Sequence, residues 1–137
     1  MSNRIAIVRR AQFNAAHRLF NPLWDDVKNN EVFGLCNNPN YHGHNYVLEV
    51  KVIGEIDPLT GYCMDIKILK GYIDTEVIEA FDHKNLNLDT VEFKDLNPTA
   101  ENIARVIHMK LAKKVGSDYQ VFIKLYETER NWVEYPV

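Results

Sequence analysis

The segment HNYVLEVKVIGEID, from His44 to Asp57, sorts its side chains into two sets with a period of two. Tyr46, Leu48, Val50 and Val52 form one set, and Val47, Glu49, Lys51 and Ile53 the other. Successive side chains on a strand leave opposite faces, so the wholly apolar set is the buried face and the mixed set meets water.

The same phase is legible upstream, where Phe13, Ala15 and His17 fall on one side of a strand ending near His17 while Gln12 and Asn14 face the other. Between these strands, Asn21-Pro22 and the polar run DDVKNNE predict a long irregular excursion with a short helical turn around Trp24 to Lys28. Downstream, Asp57-Pro58-Leu59-Thr60-Gly61 is a turn signal that predicts a hairpin, with Tyr62 to Met64 pairing back on the preceding strand. Asp65 can cap a helix whose apolar positions Ile66, Leu69, Ile73, Val77 and Phe81 recur at helical spacings and which ends near Asp82-His83. After a loop, Asn97-Pro98-Thr99 announces a second helix with the stripe Ile103, Val106, Ile107 and Leu111, and Gly116 follows its end. A last alternating strand buries Val121, Ile123 and Leu125 before a turn near Glu129 to Asn131. The order strand, hairpin, helix, helix, strand predicts an α+β fold: one antiparallel sheet with two helices packed on one face.

Bulk properties agree with one domain spanning residues 1–137. Apolar residues make up 46% and charged residues 26% of the chain, the profile of a soluble globular protein. A formal net charge of -3 provides no blanket of positive potential, which argues against a nucleic-acid partner. The apolar run Ile5 to Val8 is too short for a secretory signal and no segment has the length of a membrane span, so a cytoplasmic address is expected. In a reducing compartment both cysteines stay as thiols: Cys63, among apolar neighbours, reads as core, whereas Cys36 lies among asparagines.

Cys36 opens the stretch CNNPNYHGHN, in which His42 and His44 are one residue apart. On a strand both imidazoles leave the same face, with about 6.6 to 7 Å between their Cα atoms. That spacing suits convergence on one ion, and His17 could supply a third nitrogen if its strand is adjacent; three neutral histidines with an open fourth position form a catalytic zinc arrangement. Spacing alone equally allows two exposed polar residues beside a glycine bend. Cys36 could be a base or nucleophile activated by a nearby cation, a fourth ligand, or an inert thiol. Asp82-His83 reads as a capping pair at a helix C-terminus or, more sharply, as a carboxylate-oriented imidazole that relays protons. Glu127 continues the phase of Val121, Ile123 and Leu125, so it is either a carboxylate needing partners at the end of an apolar stripe or a solvated residue past the strand. Glu101 suits the helix dipole of the second helix's first turn, and His108 reads as a surface or boundary residue.

Taken in order, FNAAHRL, CNNPNYHGHNY, FDHKNLN, NPTAENIA and YETERN resemble the 6-pyruvoyltetrahydropterin synthase family over nearly the whole chain. The resemblance implies the tunnelling fold, in which each subunit gives a four-stranded antiparallel sheet and two helices. Subunits close into a barrel, trimers pair into hexamers, and active sites lie at subunit interfaces. It implies that His17, His42 and His44 bind Zn²⁺, that Cys36 is the catalytic base, and that Asp82 and His83 assist its proton transfers. It further implies that Glu127 anchors the pterin ring nitrogens and that Thr99 and Glu101 belong to the pterin pocket. The implied enzyme is a carbon–oxygen lyase that converts 7,8-dihydroneopterin triphosphate to 6-pyruvoyltetrahydropterin.

A related branch makes 6-carboxytetrahydropterin for queuosine synthesis and usually places three residues between the cysteine and HGH. Here five intervene, Asn37 to Tyr41, as in the biopterin branch. A folate-linked branch replaces the cysteine with glutamate, which Cys36 speaks against. Tyr41 departs from the biopterin-type motif, which commonly has glycine there, and a different loop path is expected. A zinc-stabilised binding module without chemistry is the remaining alternative, and it would need neither Cys36, Asp82-His83 nor Glu127.

Overall fold

The computed structural model describes residues 2–137. Five strands form one sheet in the order β3-β1-β2-β4-β5. They are β1 (Arg4–His17), β2 (His42–Glu55), β3 (Lys84–Asn85), β4 (Gln120–Tyr126) and β5 (Trp132–Tyr135). The helices are α1 (Asp26–Phe33), α2 (Ile66–Ile73), α3 (Glu79–Phe81), α4 (Leu86–Asp89) and α5 (Ala100–Val115). The α+β class is as the sequence predicts, but the sheet has five strands rather than four: β3 is a two-residue strand that runs parallel to β1 at Ala15 and Ala16. The excursion before β2 is also more regular than expected, with α1 capped by the Asp25 carboxylate, which accepts from the Lys28 amide at 2.8 Å.

The expected hairpin at Tyr62 to Met64 does not form. Its turn does, since the Gly61 amide reaches the Asp57 carbonyl at 2.7 Å and the Asp57 amide reaches the Tyr62 carbonyl at 2.8 Å. The obstacle is long-range: at Ile53, β2 already faces Ala6 of β1 on one side and Gln120 of β4 on the other, so no edge remains for a third partner. The chain instead enters α2, capped by the Asp65 carboxylate on the Lys67 amide at 2.9 Å.

Tyr46, Leu48, Val50 and Val52 are fully buried, as the alternation requires. They share one core with Val121, Ile123 and Leu125 of β4 and with Ile103, Ile107 and Leu111 of α5. Complete burial of each such large apolar side chain is worth about 1.5–3 kcal/mol. From α2 onward the buried positions are Leu69, Ile73, Val77 and Phe81, while Ile66, expected in the same stripe, is 40% exposed. A uniform spacing of four drifts by about 40° per step on an α-helix of 3.6 residues per turn. The wider π turn Asp74–Ile78 between α2 and α3 absorbs that drift and keeps Phe81 in the core. Where β2 leaves the core, a Cβ on Gly54 would fall 2.6 Å from the Tyr119 ring, so close packing demands glycine there. Among the described residues no helix is long and apolar enough to cross a membrane.

Candidate active site

His17 ends β1 directly opposite His42 at the start of β2, and Ala15 faces His44. The full antiparallel register therefore gathers the three imidazoles at one end of the sheet, with one nitrogen from each lying within 4.8 Å of the others. His17 is 1% exposed. Its Nδ1–H donates to the Pro98 carbonyl at 2.7 Å, which leaves Nε2 as a bare lone pair 3.0 Å from His42 Nε2. If His42 carries its proton on Nε2, its Nδ1 is a buried acceptor with no donor among the described residues; otherwise two lone pairs face each other. Among the described residues, His44 Nε2 is likewise buried and unpartnered.

Burial, reinforced by His42 and His44, lowers the His17 pKa to about 4 against the opposing Pro98 bond. Burial also lowers that of His44, against the pull of Glu127. Neutral imidazoles that point unsatisfied lone pairs at one another fit a cation, and the Pro98 carbonyl supplies the outer bond that fixes a ligand tautomer. The three-histidine cluster can hold a metal ion.

Glu127 lies one residue beyond β4, its amide bonded to the Asn131 carbonyl at 3.1 Å in the following turn. Its carboxylate oxygens lie 3.9 Å from His17 Nε2 and 3.9 Å from His44 Nε2. The strand ends at Tyr126, as one of the two readings had it, while the carboxylate is half-buried beside the histidines but beyond hydrogen-bond distance of either nitrogen. Tyr46, read from the sequence only as core, also reaches the site: its hydroxyl is 3.4 Å from His17 Nδ1, and burial raises its pKa. Pro98 was legible as a helix-start signal, but the use of its carbonyl was not.

Cys36 is a half-buried free thiol in the 3₁₀ turn Gly34–Asn37. Among the described residues it is not one of the clustered ligands. Its carbonyl accepts the Leu19 amide at 2.8 Å, which docks the turn against the residues just past β1. Asp82 and His83 sit elsewhere, just before β3 on the side of β1 that faces away from β2. Asp82 Oδ1 accepts the Asn14 amide at 2.8 Å, and its Oδ2 accepts from His83 Nδ1 at 2.8 Å. The Asn14 hydrogen bond, with help from His83, holds the Asp82 carboxyl below the usual carboxylate range. His83 takes a left-handed backbone, φ 61, and its side chain is 83% exposed. Within one chain the dyad faces solvent rather than the histidine cluster.

Residues 6–136 match the family described as 6-pyruvoyl tetrahydropterin synthase. The chain belongs to the 6-pyruvoyl tetrahydropterin synthase family. It is 43% identical over 129 residues to the 6-pyruvoyl tetrahydrobiopterin synthase of Homo sapiens, covering 94% of this chain and 89% of that protein. The structure of Caenorhabditis elegans 6-pyruvoyl tetrahydropterin synthase matches with a TM-score of 0.91 and 37% identity, covering 98% of this chain and 96% of the other. A 6-carboxy-5,6,7,8-tetrahydropterin synthase of Rickettsia felis is 29% identical over 149 residues, covering 95% of this chain and 99% of that protein.

As a synthase-family chain, this protein is an enzyme. In NPTAEN, the Thr99 hydroxyl caps α5 by accepting the Asn102 amide at 3.2 Å, and Glu101 is exposed on the first turn. Among the described residues no hydrogen bond or ion pair joins either side chain to the histidines. In NNPNYHGH, Tyr41 adopts φ 67, a conformation that glycine takes without steric cost.

Proposed function

We propose that this chain is a zinc-dependent carbon–oxygen lyase that converts 7,8-dihydroneopterin triphosphate to 6-pyruvoyltetrahydropterin and triphosphate. The observation that carries the reading is the cluster of His17, His42 and His44, with its tautomer set by Pro98 and its lone pairs unsatisfied. Those residues would hold the zinc, a Lewis acid that acidifies carbon next to the substrate's side-chain oxygens and stabilises enolate-like charge.

Cys36, as thiolate, removes and returns the protons of the substrate side chain. His83, oriented through Nδ1 by Asp82, resupplies Cys36. The exposure of His83 supports a site completed between subunits, with the dyad of one chain meeting the cysteine turn of another in a hexamer built from two trimers. Glu127 accepts hydrogen bonds from the N–H groups of the pterin ring, and Thr99 and Glu101 complete the pocket. The pterin ring is reduced as its side chain is oxidised and triphosphate leaves, so the reaction needs no external oxidant.

Residues 1–137 act as one cytoplasmic synthase domain, with no membrane or nucleic-acid partner. The pyruvoyl product is favoured by 43% identity to the human enzyme, against 29% to the carboxy-forming relative, and by the five-residue spacer Asn37 to Tyr41. The alternative product is 6-carboxytetrahydropterin, released with acetaldehyde as in the queuosine branch, and Tyr41 is the residue that departs from the biopterin-type motif. Replacing Cys36 by alanine should abolish turnover while leaving about one zinc per chain. Loss of the metal with the thiol would make Cys36 a ligand, and full activity would remove it from the mechanism.

A further inference from the structure

Arg18 lies between the histidine cluster and the cysteine turn. Its Nε–H donates to the Asn37 carbonyl at 2.9 Å, and the next residue's amide, from Leu19, donates to the Cys36 carbonyl at 2.8 Å. Consecutive carbonyls of the turn are therefore held by consecutive residues that follow His17. The turn's own closure is weaker, an Asn38 amide on the Leu35 carbonyl at 3.2 Å.

Arg18 is itself fixed. Asn87 of α4 accepts the Arg18 amide at 2.8 Å and donates to the Arg18 carbonyl at 2.9 Å. The guanidinium carbon stands 4.5 Å from the centre of the Phe20 ring. On the far side, the buried Asn37 side chain donates to the Asn30 side-chain oxygen at 2.7 Å. A half-buried guanidinium bonded through Nε and stacked on an aromatic face is oriented by its plane, which an ammonium on a flexible stem cannot reproduce.

We infer that Arg18 is a positioning residue that locks the Cys36 turn to the His17 end of β1, so that the base and the metal ligands keep one mutual geometry. The inference rests on the proposed role of Cys36, and it gives His17, Arg18 and Leu19 distinct tasks on three consecutive residues. Misplacing a reacting group by about 1 Å can cost about 100-fold in rate.

The test uses the zinc-loaded protein with Arg18→Lys and Arg18→Gln. The expected result is unchanged zinc content, kcat for dihydroneopterin triphosphate lowered about 10- to 100-fold, and KM changed less than about twofold. Without substrate, the Cys36 alkylation rate with iodoacetamide should change and backbone amides 34–38 should exchange faster, in Arg18→Lys as in Arg18→Gln. Unchanged alkylation and exchange would overturn the inference. So would a raised KM with kcat kept, which would make the guanidinium a substrate ligand. If the Arg18 variants do not fold, Asn87→Ala decides: relative to the parent it should change the Cys36 alkylation rate and speed exchange of backbone amides 34–38, and no change in either would overturn the inference. Alkylation and exchange are read in resting protein, so they judge the positioning even if Cys36→Ala retains turnover, a result that would count against the proposed function alone.

Discussion

The Nδ1–H of His17 and the carbonyl of Pro98 lie 2.7 Å apart, and that bond turns the other nitrogen of the buried imidazole toward His42. A carbonyl at the start of α5 thereby sets the protonation pattern of a residue at the end of β1. Replacing His17, His42 or His44 singly by alanine should lower bound zinc from about one per chain to near zero, with far-ultraviolet circular dichroism preserved. Zinc retained at full stoichiometry in all three variants, measured by plasma mass spectrometry, would remove the cluster as the metal site.

The cap one residue past Pro98 is separately testable. Thr99→Ala deletes the acceptor for the Asn102 amide and should cost about 0.5–2 kcal/mol of stability. Because the same turn carries the Pro98 carbonyl, zinc affinity should fall about 10-fold, the scale of losing an outer-shell partner. Chemical denaturation and a competitive zinc titration read the two effects, and stability lost with affinity intact would uncouple the cap from His17.

At Tyr41 the backbone sits where a non-glycine residue is costly, with φ 67. Tyr41→Gly exchanges that strain for extra chain entropy and should change stability by less than about 1 kcal/mol. Tyr41→Ile keeps the strain, adds β-branching and should destabilise by about 1–3 kcal/mol. Equal urea midpoints for the two variants would show that the left-handed conformation does not govern this loop.

Asp82 makes a pH-dependent contribution. The Asn14 hydrogen bond keeps its folded-state pKa below the unfolded value of about 4, so the folded chain holds fewer protons there. The stabilisation is complete above that unfolded value and is lost as pH falls through the depressed folded one. Asp82→Asn should flatten the acid limb of the stability curve below about pH 4. An acid limb identical to that of the parent would assign the slope to other carboxylates.

Much of this could be read from residues close in sequence. The alternation at Tyr46 to Val52 and at Phe13 to His17 fixed which faces are buried, because a period of two allows only two choices. The cap residue Asp65 and the signal Asn97-Pro98-Thr99 likewise marked where α2 and α5 begin, although the cap of α5 is Thr99 and Pro98 precedes it. The failed hairpin at Tyr62 to Met64 shows the limit: the turn signal was sound, but strand pairing depended on β1 and β4, remote in the chain. Glu127 was ambiguous for the same reason, since its neighbours His17 and His44 come from strands brought together only by folding. Pro98 was hidden differently, because a backbone carbonyl has no signature in residue type. Cys36 and Asp82-His83 were visible as candidates, yet their separation in one chain follows from exposure and topology.

The most direct measurement is to incubate the zinc-loaded protein with 7,8-dihydroneopterin triphosphate and identify the products by mass spectrometry. The account predicts 6-pyruvoyltetrahydropterin with one equivalent of triphosphate and no acetaldehyde. Formation of 6-carboxytetrahydropterin with acetaldehyde, or recovery of unchanged substrate, would contradict it.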